Sequence, residues 1–160
     1  MATAHTEVRI DAPIDVVWQV MLDTDAYGEW NPFIVKVDRL GGRAPEVGDD
    51  LRLHVRWKSG GRVTTVERIT ALDPPRDGSA LLEYDFLGPF ATLRMVRGRR
   101  RQELTAEGDA TRYVTGETLR GWLSWAAPIG RVQDGFERHA TALKQRAEQL
   151  HRAAGPLHSG

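Results

Sequence analysis

The chain contains no cysteine, which excludes disulfides, thiol nucleophiles and thiolate metal sites and fits a reducing compartment. No apolar run approaches the roughly 18 residues that span a bilayer, so no integral membrane association is expected. Neither sign of charge is in excess. Twenty-two basic and twenty-two acidic residues cancel, and no overall field draws the protein toward nucleic acid or an anionic surface. The opening Met1-Ala2-Thr3-Ala4-His5-Thr6-Glu7 has neither the basic start nor the apolar stretch of a secretory signal, and a cytoplasmic protein is expected. HExxH, GxSxG, phosphate-binding glycine loops and dinucleotide fingerprints are all missing, so the sequence predicts no metal, nucleotide or other cofactor. The five histidines, His5, His54, His139, His151 and His158, lack a partner at ligand spacing. His139 reads as flanking a helix stripe. Paired aspartates at Asp23 and Asp25 read as caps, because no third ligand lies near them.

What is present is ordinary globular composition, 41% hydrophobic and 28% charged over 160 residues. That fits one domain over 1–155, with 156–160 as a frayed tail. The longest signal is a helix over 128–153. Ile129, Val132, Phe136, Ala140, Leu143, Ala147 and Leu150 recur at three- and four-residue spacing against charged residues on the other side, which is one buried stripe. Upstream, Thr6, Val8 and Ile10 alternate as a short strand. Asp11 reads as the N-cap of a helix reaching about residue 22, and a second short helix starts at Asp23. Strands follow over 33–39, 51–58, 62–72, 80–86, 93–106 and 111–120, separated by glycine- and proline-rich turns, with Asp73-Pro74-Pro75 closing the third of these. Consecutive strands with short turns imply an antiparallel meander with its helices on one face, an α+β arrangement.

Several short motifs stand in a particular order: Ile10-Asp11-Ala12-Pro13 with Val17-Trp18, Tyr27-Gly28-Glu29-Trp30-Asn31-Pro32-Phe33, and Val47-Gly48. Further along come Leu72-Asp73-Pro74-Pro75-Arg76, Glu117-Thr118-Leu119-Arg120-Gly121, and Phe136 through Leu143 to Ala147. Together they resemble the SRPBCC superfamily of START-related and birch-allergen-like helix-grip domains, and within it the polyketide cyclase/dehydrase branch, over 6–150. The resemblance implies a helix-grip fold: a curved antiparallel sheet of about seven strands wrapped around the long C-terminal helix, with two short helices after the first strand. It also implies an apolar cavity that binds a hydrophobic small molecule, without fixing an activity.

Parity then assigns the cavity wall. Leu51, Leu53, Val55 and Trp57 face inward, as do Ala80, Leu82, Tyr84 and Phe86. Tyr113, Thr115, Glu117 and Leu119 share one face, so an inward Leu119 brings Glu117 inside. A carboxylate among apolar neighbours is costly unless paired or protonated, and its pKa rises toward the range of general acid–base work. Two readings stand: a catalytic base, or a structural ion pair or hydrogen bond. Arg100 and Gln102 share parity on the preceding strand, and Arg100 is the candidate electrostatic partner of Glu117; a bulge near Gly98 would reverse this. The run Arg97-Gly98-Arg99-Arg100-Arg101 splits across two faces, unlike a nucleic-acid patch. Trp30, Asn31 and Phe33 fall near the cavity mouth, with Asn31 either contacting ligand or closing a turn. Phe90, Trp122 and Trp125 lie in connections, as an entrance lining or as packing, while Val132 and Phe136 present the helix face.

The favoured functional expectation is a cofactor-independent cyclase/dehydratase-like enzyme of secondary metabolism. The alternatives are a non-catalytic lipid or polyketide carrier and a stress-related interaction module. A monomer or homodimer is expected.

Overall fold

The computed structural model describes residues 1–39, 44–88, 97–122, 124–126 and 128–155. Strand β1 (Ala2–Ile10) leads into helix α1 (Ile14–Leu22), a 3-10 turn (Thr24–Ala26) and the single-turn helix α2 (Tyr27–Trp30). Strands β2 (Ile34–Arg39), β3 (Asp50–Arg56), β4 (Arg62–Arg76), β5 (Ser79–Phe86), β6 (Arg97–Glu107) and β7 (Ala110–Arg120) follow, then a 3-10 turn (Ser124–Ala126) and helix α3 (Ile129–Ala154). All seven strands form one antiparallel sheet in the order β1-β7-β6-β5-β4-β3-β2. The meander is interrupted only where β1, the first strand, pairs with the last. This is the helix-grip arrangement that the resemblance implies.

Helix α3 has 26 residues and so is about 39 Å long. Phe136, Ala140, Leu143 and Ala147 are buried along it, as the spacing predicts. Two positions differ. Leu150 is 41% exposed, because the stripe reaches the end of the sheet before the helix ends. His139 is buried to 1%; it follows Phe136 by three residues and therefore lies inside the stripe rather than beside it. Gly135 lets the helix approach closely: a Cβ there would sit 2.2 Å from Cε2 of Phe33. The Phe33 ring in turn packs against Phe136 and Trp57, with centroids at 6.1 and 5.9 Å.

Other corrections are local. Asp11 does not cap α1; Pro13 occupies that position without a side-chain cap bond. The Asp11 amide instead donates to Glu148 Oε1 at 2.8 Å on α3, tying β1 to the helix. Strand β4 continues through Asp73-Pro74-Pro75 to Arg76, with register shifts at Ile69/Ala71 and Asp73/Arg76. The prolines sit in the irregular stretch, where a missing N–H breaks no regular ladder bond. The chain then turns through Asp77 (φ 50°) and Gly78 (φ 78°), two left-handed residues that make a two-residue hairpin connection. Strand β6 and β7 pair in continuous register from Arg97/Arg120 to Glu107/Ala110, so no bulge near Gly98 inverts the parity. The part of the predicted sixth strand over 93–96 lies outside the described residues, as does Phe90.

Among the described residues no helix is long and apolar enough to cross a membrane.

Candidate active site

The concave face of the sheet carries its polar residues in rows, because antiparallel pairing brings same-parity residues of neighbouring strands side by side. One row runs Ile69, Tyr84, Arg100, Glu117 and Ala4 across β4, β5, β6, β7 and β1. The next contains Leu82, Gln102, Thr115 and Thr6. Arg100 and Gln102 are 5% and 2% exposed, so alternation on β6 delivers both inside, as expected. The neighbouring arginines point outward: Arg99 makes a two-point contact with Asp85 at 2.7 and 3.0 Å, and Arg101 pairs with Glu103 at 2.8 Å.

Among the described residues Arg100 is held without a carboxylate. Its guanidinium lies over the Phe136 ring, 4.6 Å from the centroid, with long contacts from Nε to Thr115 Oγ1 (3.5 Å) and from Nη2 to Gln102 Oε1 (3.4 Å). The Tyr113 hydroxyl also donates to Gln102 Oε1, at 2.8 Å. An arginine stays cationic in such a setting. Glu117, its direct cross-strand neighbour, makes no hydrogen bond or ion pair among the described residues. Burial pushes the Glu117 carboxyl up, and the Arg100 charge opposes that rise. Gly98 makes room for it, since a Cβ at Gly98 would lie 2.9 Å from Glu117 Oε1 and 3.3 Å from Phe86 Cβ.

A second carboxyl enters from β4. Glu67 is the cross-strand partner of Leu51 and Phe86, and its Oε2 is buried with no partner, as is Oγ1 of Thr65 two residues earlier. Burial first, and then the charge of Glu117, push Glu67 up to about 7, with Arg100 pulling the other way. The sequence reading missed Glu67. Alternation alone was ambiguous there, because the bulge at Ile69/Ala71 breaks parity with the clear apolar position Leu72.

Deeper in, Asn31 joins the α2 turn to α3. Its Oδ1 accepts from the amides of Phe33 and Ile34, both at 3.0 Å, and its Nδ2 meets His139 Nδ1 at 2.8 Å. It closes the turn and holds the histidine at once. The His139 ring lies among Tyr27, Trp30 and Tyr113 with centroids at 6.2, 5.8 and 6.2 Å. Burial, and then Arg100, hold its pKa well below the usual histidine range, so the ring is neutral.

The remaining predicted residues are distributed as follows. Phe33, Leu53, Val55, Leu82, Tyr84, Leu119 and Phe136 are buried. Trp30, Trp57 and Val132 pack partly buried against the core. Phe86 is half-buried and folds back over Gly88, where a Cβ would lie 2.1 Å from its Cζ. Trp122 and Trp125 are 68% and 80% exposed on the connection into α3. A concavity of about 960 Å³ follows β1, β7, β6 and β5, reached by Phe86, Gly98 and Glu117 and otherwise lined largely by outward side chains such as Arg99, Arg101 and Glu103. A second space of only about 10 Å³ lies inside, bounded by Thr24, Tyr27, Tyr84, Arg100, Gln102 and His139 among others. Among the described residues no three His, Asp or Glu side chains group to hold a metal ion.

Solved structures of related shape cover nearly the whole chain. A START superfamily protein from Mycobacterium smegmatis shares 20% identity over 92% of this chain and 98% of its own, with a TM-score of 0.68. The Zhui aromatase/cyclase from Streptomyces sp. R1128 shares 24% over 98% and 99%, with a TM-score of 0.66. Ginseng major latex-like protein 151 from Panax ginseng shares 11% over 91% and 97%, with a TM-score of 0.74. At these identities the likeness is one of fold. No curated protein matches the chain. The family model described as polyketide cyclase / dehydrase and lipid transport matches residues 1–148, and the chain belongs to that family.

Proposed function

We propose that the protein binds a small hydrophobic molecule against the concave face of its sheet and acts on it as a cyclase/dehydratase-like enzyme, by acid–base chemistry. One observation carries the catalytic part. Arg100 is buried and Glu117 and Glu67 are half-buried on three strands of the sheet, close enough for their charges to act on one another, yet among the described residues no ion pair joins the arginine to either carboxyl. A structural triad would be closed on itself; this one is left free to meet a ligand.

The roles follow from charge. Glu117 takes a proton from a carbon next to a ligand carbonyl, and Arg100 stabilises the enolate that results. The enolate carbon attacks a second carbonyl of the same chain, held close by the walls of the site. Glu117 returns its proton to the alkoxide so formed. In the dehydration that follows it takes the remaining proton of the attacking carbon while Glu67, neutral over much of the range below about 7, protonates the hydroxyl that leaves as water. Family membership supports hydrophobic ligand binding as the first part of this reading.

The test is native mass spectrometry with a panel of aromatic polyketides and fatty acids, followed by product analysis. Conversion of a retained compound, abolished in Glu117→Gln while affinity stays within a few-fold, is the expected result. Retention without conversion of any member would favour the carrier reading, and no retention at all would overturn ligand binding.

A further inference from the structure

The interior space beside α3 contains a histidine whose proton position can be assigned from its neighbours. Asn31 has its Oδ1 committed to two backbone amides, so the group facing His139 Nδ1 is the Nδ2 amide. An amide nitrogen only donates; Nδ1 therefore accepts and carries no hydrogen. A neutral imidazole holds its single proton on the other nitrogen, which makes Nε2–H a donor. That atom is buried with no partner, on a side chain only 1% exposed. A buried unmade hydrogen bond of this kind is costly, so a fold retains one where something else completes it.

The surroundings say what completes it. Thr24 Oγ1, on the same small space, is likewise buried without a partner. The Tyr84 hydroxyl makes no hydrogen bond among the described residues, and Arg100 adds cationic N–H groups. The Tyr27 hydroxyl already donates to the Met21 carbonyl at 2.7 Å, and Gln102 Oε1 already accepts from Tyr113 and Arg100. His139 Nε2–H and Arg100 can only donate, while the Thr24 and Tyr84 hydroxyls can turn to donate or accept. One acceptor would therefore satisfy all four around a space of about 10 Å³, near the least volume that holds one water-sized atom.

We propose that this space is an acceptor subsite for a single ligand oxygen, a ketone carbonyl or the enolate derived from it, with His139 Nε2–H as its fixed donor and Thr24, Tyr84 and Arg100 around it. The assignment rests on the ligand-binding reading above and sharpens it. It makes the preferred ligand one whose apolar body ends in a carbonyl, and it sets the reacting carbon beside Arg100, the strand neighbour of Glu117. A neutral donor suits this place, since it stabilises negative charge that develops on oxygen without surrendering its own proton readily.

The test compares 2-acetylnaphthalene with 2-isopropenylnaphthalene, in which a CH₂ replaces the carbonyl oxygen at nearly constant shape. Dissociation constants are measured alongside long-range proton–nitrogen spectra of the His139 ring. The expected result has four parts: an Nε2–H tautomer in the free protein, a downfield move of that proton on adding the ketone, about tenfold tighter binding of the ketone, and a ratio near one in His139→Phe. The spectra of the unmutated protein decide the matter even if that variant folds poorly. Equal binding of both compounds with the His139 signals unmoved overturns the subsite while leaving hydrophobic binding intact. So does an Nδ1–H tautomer, or a long-lived water beside Nε2–H that the ketone does not displace. Failure of both compounds to bind overturns the subsite together with the binding reading.

Discussion

Replacing Glu67 by glutamine should make the protein more stable in neutral and alkaline solution and should leave it nearly unchanged in acid. In the folded protein the carboxyl is pushed from its ordinary 4.5 to about 7, by burial and then by the Glu117 charge. The folded state therefore holds a proton through a window in which the unfolded chain has released it. Stability from this group is complete below about 4.5 and is lost as pH rises toward about 7. At 1.36 kcal/mol for each tenfold in proton affinity, the loss amounts to roughly 3 kcal/mol between acid and neutral pH. Glutamine has no proton to lose. The difference in stability between Glu67→Gln and the parent should thus grow by roughly 3 kcal/mol from pH 4 to pH 8, about 6–12 °C in Tm for a chain of this size. Thermal and urea unfolding of both proteins across that range isolates the effect, because all other titrating groups are common to the two. Parallel stability curves, or a variant that loses stability as pH rises, would refute the burial of the Glu67 carboxyl beside another acid.

Two further substitutions test the packing of α3 and its tie to the α2 turn. Gly135→Ala would ordinarily favour a helix, but its Cβ would overlap a Phe33 ring wedged between Phe136 and Trp57; a loss of about 1–3 kcal/mol in urea unfolding is expected, and a gain would show that the ring moves aside. Asn31→Ala removes the acceptor for two buried amides and the donor to His139, with an expected loss of about 2–4 kcal/mol by denaturant titration. A loss well under 1 kcal/mol would show that the turn does not depend on that side chain.

Strand and helix periodicity alone determined most of the architecture. Alternation named the inward residues Leu51, Leu53, Val55, Tyr84, Arg100, Gln102 and Tyr113, and the three- and four-residue spacing named the buried face of α3, because a side chain's direction in a regular element depends on local backbone geometry only. Glycine and proline located the turns for the same reason. Local rules failed where the backbone departs from regularity or where the outcome depends on what arrives from elsewhere. The bulge in β4 concealed Glu67, and the Asp73-Pro74-Pro75 stretch read as an end when the strand continues through it. Asp11 had the chemistry of a cap, but its amide was drawn to Glu148, 137 residues away. Whether a polar residue inside is satisfied is a property of its surroundings, which no spacing rule contains. That Arg100 rests on Phe136 rather than on Glu117, and that His139 is neutral with its Nε2 buried and unpartnered, required three elements to meet: the strand β6, the turn at Asn31 and the helix α3.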